Sequence, residues 1–162
     1  MTRPFLMAIV LVILAILLAL IALGWRRRAR RQSSIARPDD VPNDIGEQIG
    51  AFSGQYVATT IAGKPLERIA VHGLGFRGNA HVIVSTLGAL VRIDGTTDKW
   101  ISAANMRDRR TATWTIDRVV ETDGLELLEW DLGGTLVDSY FRFDRDSGFD
   151  KAIDSLLERK SA

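Results

Sequence analysis

Residues 125–160 read LELLEWDLGGTLVDSYFRFDRDSGFDKAIDSLLERK, and two periodicities meet in them. Leu125 to Leu132 and Thr135 to Phe143 have the character of strands, and Gly133-Gly134 between them is a hairpin signal because both positions can take positive φ. From Phe149 the period changes. Phe149, Ala152, Ile153, Leu156 and Leu157 recur at helical spacing. Ser147 is placed to cap that helix, with Asp150 three residues on as a capping-box-like partner. Arg159 and Lys160 lie at its end, where cations suit the helix dipole. The apolar stripe must face something, most simply the open end of a preceding β-barrel. Burial of each aliphatic side chain there contributes about 1.5–3 kcal/mol.

Upstream, short β-type runs are separated by turn signals. Gln55 to Ile61 is the first, and Glu67 to His72 the second, with Ile69 and Val71 on one face. Ala80 to Thr86 and Ala89 to Ile93 form a hairpin across Leu87-Gly88. Trp100 to Ala103 is a fifth strand, and Thr113 to Val120 a sixth, with Trp114, Ile116 and Val120 on one face. Strands at this spacing predict an antiparallel sandwich or barrel. Trp100, Trp114, Trp130, Tyr140, Phe141 and Phe143 are expected in its core, whereas Phe76 in a glycine-rich loop is expected to be exposed.

Several strands followed by one amphipathic helix resemble the pleckstrin-homology-like (PH-like) superfold. Three runs carry a closer resemblance: Tyr56-Val57-Ala58-Thr59-Thr60, then Arg68 to Gly75 (RIAVHGLG), then Asp138 to Arg142. They are similar to a family of small actinobacterial membrane proteins with one transmembrane helix and a PH-like domain. Members are loosely labelled as transporters or export proteins and tend to lie among pyrimidine-biosynthesis genes. The resemblance implies context and no chemistry, and it carries over no catalytic residues.

The N-terminus is of another kind. Pro4 to Gly24, PFLMAIVLVILAILLALIALG, holds no charged or hydrogen-bonding side chain. As a helix it reaches roughly 30 Å, the thickness of a bilayer's hydrocarbon. It is apolar all round, unlike an amphipathic surface helix. Its apolar run is longer than a signal peptide's, and the basic cluster after it resists translocation. Trp25 is an interfacial aromatic, and Arg26, Arg27, Arg28, Arg30 and Arg31 follow. The reading is an uncleaved anchor in the plasma membrane, N-terminus out, with the C-terminal domain cytoplasmic. The arginines set topology and can also recruit anionic lipid. Ala15 and Ala19 offer a small-residue pair for helix packing; the sequence leaves the oligomeric state open. The expected organisation is thus residues 1–31 as anchor and basic stretch, 32–50 as flexible linker, and 51–162 as β domain with a C-terminal helix.

Charge narrows the function classes. Residues 1–31 hold six arginines and no acid, which leaves 15 of the 21 basic side chains against all 20 acids in residues 32–162, a net of −5. General nucleic-acid binding does not suit such a domain. With no cysteine, disulfides, Cys-ligated zinc, iron–sulfur clusters and thiol nucleophiles are excluded. Gly73-Leu74-Gly75-Phe76-Arg77-Gly78 matches G-x-G-x-x-G literally, but a strand rather than a helix is expected after it, so it reads as a loop and not a dinucleotide site. His72 and His81 can approach across neighbouring strands, yet two imidazoles without a carboxylate make a poor metal site. No Ser–His–acid arrangement is supported. The expected function is a non-catalytic, membrane-tethered interaction domain with a protein partner and no cofactor. The alternative is a sensor of anionic lipid or a small ligand, using Phe76 and a basic loop with Arg107, Arg109 and Arg110. That alternative requires the three arginines to converge on one exposed face.

Overall fold

The structure, a computed structural model, describes residues 3–112, 114–115, 118–119, 124–144 and 146–161. The chain divides into two compact units, Met1–Ser34 and Ile35–Ala162. The first is helix α1, Arg3–Arg31. Ser33 closes it, its amide and its hydroxyl both donating to Arg30 O at 3.2 and 2.8 Å. Within α1, Met7–Arg27 is long and apolar enough to cross a membrane, and its large aliphatic side chains are exposed.

The second unit is organised by one long strand. β1 (Gln48–Ile61) pairs antiparallel with β3 (Gly78–Ser85) along its first part and with β10 (Thr135–Arg142) along its last. The register with β10 shifts between Tyr56 and Ala58, where β1 changes partner. Such a bulge bends a strand and lets it serve two sheets. On one side the order continues from β3 to β4 (Gly88–Ile93) and β5 (Lys99–Ser102); on the other it runs from β10 to β9 (Leu125–Leu132) and β6 (Met106–Ala112). β2 (Lys64–Arg68) pairs only with the end of β1. A separate two-strand ladder joins β7 (Trp114–Thr115) to β8 (Arg118–Val119). The inner faces supply the core, including Tyr56, Val82, Val91, Ile101, Met106, Trp130 and Phe141. Helix α2 (Phe149–Ser161) adds Phe149, Ala152, Ile153 and Leu156 to the same core.

The expected fold class, an apolar N-terminal helix and a mainly antiparallel β domain ending in a helix, is the one observed. Gly133 and Gly134 sit at φ 58° and 91° and turn the β9–β10 hairpin. The Ser147 hydroxyl accepts the Phe149 amide at 3.4 Å, capping α2. Trp100, Trp130, Tyr140 and Phe141 are buried and Phe143 is half-buried. The β3–β4 turn is Thr86-Leu87, with Gly88 already paired to Ser85, one residue earlier than expected. The second strand ends at Arg68 rather than His72, because His72 and Gly73 take positive φ (57° and 71°) and turn the chain. The expected face of Trp114, Ile116 and Val120 lies outside what is described.

The stretch 32–50, read as a flexible linker, is a packed segment from Ile35 onward. Ile35 and Ala36 lie against the core and Pro38 is buried. Asp39 O accepts the Trp100 amide at 3.4 Å, Ile45 O accepts the Ser85 hydroxyl at 2.6 Å, and Glu47 O accepts the Thr86 amide at 2.9 Å. β1 itself starts at Gln48, not Gln55. Backbone groups make these contacts, so side-chain polarity gave no sign of them.

Candidate functional site

Of the residues singled out by sequence, the connection from β1 to β3 holds His72, Phe76 and the G-x-G-x-x-G run. Between β1 and β3 the chain makes an excursion, residues 62–77, that folds back on the end of β1. The Ile69 amide donates to Thr59 O at 2.9 Å, and the Thr59 amide to Leu74 O at 3.2 Å. Ile69 and Leu74 are buried. A chain of side-chain hydrogen bonds fixes the excursion from inside. Trp130 Nε1 donates to Ser139 Oγ (2.9 Å), Ser139 Oγ pairs with Thr59 Oγ1 (2.7 Å), Thr59 Oγ1 with the Tyr56 hydroxyl (2.6 Å), and that hydroxyl donates to Leu74 O (2.8 Å). Burial pushes the Tyr56 hydroxyl far above its ordinary pKa, so it stays a neutral donor.

His72 does not meet His81. Its Nε2–H donates to Ile35 O at 2.9 Å, whereas His81 Nδ1 bonds Ser53 Oγ at 2.9 Å on β1 and β3. Among the described residues no group of three or more His, Asp and Glu could hold a metal ion. The G-x-G-x-x-G run is a loop that leads into strand β3 and does not open a helix.

A cavity of about 260 Å³ lies beside this loop, with Arg37, Asp39, Asp40, His72, Asp98 and Lys99 in its wall. Lys99, absent from the sequence-based candidates, is 4% exposed. Its ammonium donates to Thr96 Oγ1 and Thr97 O, both at 2.8 Å, and burial lowers its pKa against the pull of Asp98. Gly73 is required alongside: its φ is positive and a Cβ there would stand 3.2 Å from Lys99 Nζ. The wall mixes both signs of charge.

Phe76 is 59% exposed, as expected. The arginines at 107–110 differ from expectation in two ways. They lie on strand β6 and not in a loop, and they diverge into ion pairs. Arg107 meets Asp131 at 3.5 Å. Arg110 meets Glu129 at 2.6 Å and Asp108 at 3.1 Å. Arg109 bonds both oxygens of Asp154 on α2 at 2.7 and 2.8 Å, and Glu126 on β9 at 3.0 Å. Those carboxylates, Asp154 first, raise the guanidinium's pKa above its ordinary value. Alternation along a strand sends neighbouring side chains to opposite faces, so the convergence that a basic sensor loop requires does not arise. Arg109 is a structural clamp. We expect Arg109→Gln to lower the unfolding free energy by about 1–2 kcal/mol, since charged hydrogen bonds are lost at a partly exposed site. Arg107→Gln, at a more exposed pair, should stay within about 0.5 kcal/mol of wild type. Urea titration followed by tryptophan fluorescence measures both; equal effects would remove the clamp.

A family described as bacterial PH domain-like matches residues 35–156, beginning where the second compact unit begins. A structure of Vav1 inhibited by an allosteric inhibitor is similar over 82% of this chain, at 12% identity and a TM-score of 0.44. The match spans 32% of that structure's chain, about a third of its length. The search of curated proteins gives no match.

Proposed function

The chain belongs to the bacterial PH domain-like family, and from that premise we propose that it is a non-catalytic interaction module held at the inner face of the plasma membrane by α1. One observation carries the membrane reading. The 21 residues Met7–Arg27 expose leucine, isoleucine and valine in every direction and are 0% buried within the protein. Each such side chain left in water forgoes about 1.5–3 kcal/mol, and a bilayer removes that cost for all of them at once. Trp25, with Arg26, Arg27, Arg28, Arg30 and Arg31 after it, supplies an interfacial aromatic and a cytoplasmic anchor of positive charge. The arrangement is that of the small actinobacterial single-pass proteins it resembles. Confinement to a surface raises the domain's effective concentration for partners there. The partner is a polypeptide, either another membrane protein or a cytoplasmic enzyme, met through loops or a sheet edge.

Topology tests this reading. The chain has no cysteine, and Ser34 is exposed, so Ser34→Cys gives one clean reporter. A membrane-impermeant maleimide is expected to label it only after cell lysis. Labelling of intact cells would put the domain on the other side and overturn the cytoplasmic assignment.

A further inference from the structure

The cavity beside the β1–β3 excursion brings together charges from three separate stretches of chain. Residues 37–40 supply Arg37, Asp39 and Asp40, the turn before β5 and its first residue supply Asp98 and Lys99, and the excursion supplies His72. All of them belong to the second compact unit.

These charges are not matched from within. Lys99 is buried, yet its ammonium makes no ion pair among the described residues. Thr96 Oγ1 and Thr97 O take two of its protons, each at 2.8 Å, and an ammonium has a third to give. Asp98, its neighbour in sequence, turns to Arg92 Nε at 3.1 Å instead. A buried cation without a counter-ion is costly, and an anion that reaches it offsets that cost. Arg37 and Asp40 are exposed and make no ion pair or side-chain hydrogen bond among the described residues.

His72 adds an acceptor. Its backbone sits at φ 57°, a left-handed conformation uncommon for any residue but glycine. The ring is held by Nε2–H on Ile35 O at 2.9 Å. With Nε2 carrying the proton, Nδ1 of the neutral ring is left to accept. Strained backbone of this kind clusters at ligand clamps.

Size and sign select the ligand. A cavity of about 260 Å³ is smaller than the roughly 300–1,000 Å³ of sites for drug-sized molecules, which suits a molecule of amino-acid size. Arg37 and Lys99 stand with Asp39, Asp40 and Asp98, two positive charges against three negative, and Arg92 engages Asp98, which leaves the wall balanced. A phosphate dianion is repelled by the carboxylates. A molecule with one charge of each sign finds a partner for both.

We propose that this cavity binds a small zwitterion of the α-amino-acid class, with its carboxylate on Lys99 and Arg37 and its ammonium on Asp40. The site depends neither on α1 nor on the polypeptide partner.

The test is an NMR titration of the isotope-labelled full chain in detergent micelles with glycine, L-alanine and L-serine. Saturable shifts are expected at the amides of Arg37, Asp39, His72 and Lys99 and not along α2. N-acetyl-L-alanine lacks the ammonium, and L-alanine methyl ester lacks the carboxylate. Each is expected to bind about tenfold more weakly than L-alanine, the usual effect of losing one charged hydrogen bond. Equal binding of either derivative, tighter binding of inorganic phosphate, or no shift with any of the three amino acids would overturn the proposal. Lys99→Met should weaken L-alanine and N-acetyl-L-alanine alike. Because a change at a buried lysine can unfold the domain, Asp40→Asn at an exposed position gives a second reading. L-alanine should bind this variant about tenfold more weakly, with N-acetyl-L-alanine unchanged. Wild-type affinity of Asp40→Asn for L-alanine would reject the ammonium contact and the zwitterion with it.

Discussion

Phe149→Ala is expected to lower the unfolding free energy by about 3–5 kcal/mol, the ordinary cost of emptying a buried phenylalanine site. Phe149 is 1% exposed at the first turn of α2. Its ring lies 4.5 Å from that of Phe143, 5.4 Å from Phe52 edge-on, and 5.9 Å from Phe141. Those three come from β1, from β10 and from the residue just after β10, so Phe149 is where the helix meets the bend of the barrel. The cavity cannot collapse easily, because Phe52 and Phe141 are fixed by strand pairing. A loss of this size should depress the melting temperature by roughly 10–20 °C in a domain of this length. Urea unfolding of the full chain in detergent, read by tryptophan fluorescence, gives the number. A loss under about 1 kcal/mol would mean that α2 is not docked through this ring.

The helix was legible because its signal is local. Phe149, Ala152, Ile153, Leu156 and Leu157 repeat at a spacing that only a helix turns into a stripe, and Ser147 precedes them as a cap. The β9–β10 hairpin was legible for the same reason, with Gly133-Gly134 stating the turn. β6 was not. Met106-Arg107-Asp108-Arg109-Arg110-Thr111-Ala112 is charged at four of seven positions, so no apolar alternation marks a strand. Tertiary context supplies it: Arg109 satisfies carboxylates on two other elements, which turns a polar run into a sheet edge bound to α2. Residues 35–47 escaped notice because backbone carbonyls hold them to β3, β5 and the turn at Thr86, and a carbonyl leaves no trace in composition.

The candidate site divides along the same line. Phe76 was identified as exposed because a large ring between glycines has no neighbours in sequence to pack on. Leu66 was passed over because the second strand was expected only from Glu67 on; β2 begins at Lys64 and leaves the Leu66 side chain exposed. Lys99 was passed over because lysines before strands are commonplace, and its burial depends on a loop 26 residues earlier folding beside it. Properties set by one segment are readable from the sequence. Properties set by two distant segments need the fold.

Ser139→Ala is expected to cost about 2–3 kcal/mol, more than removal of a typical hydrogen bond. The reason is direction. Trp130 Nε1–H can only donate and Leu74 O can only accept. Between them stand three hydroxyls, each with one proton, so every bond in the series must point the same way: Trp130 to Ser139, Ser139 to Thr59, Thr59 to Tyr56, Tyr56 to Leu74. All five residues are buried. Removing the Ser139 hydroxyl strands the indole N–H and deprives Thr59 of its donor, both in a place water does not reach. Tyr56→Phe opens the same series at its end. Leu74 O keeps the Thr59 amide and the indole keeps Ser139, so that loss should be near 1 kcal/mol. Unfolding curves for the two variants at one pH decide the matter. If Tyr56→Phe proves as costly as Ser139→Ala, the series is not a one-way chain, and the two ends of the network act independently.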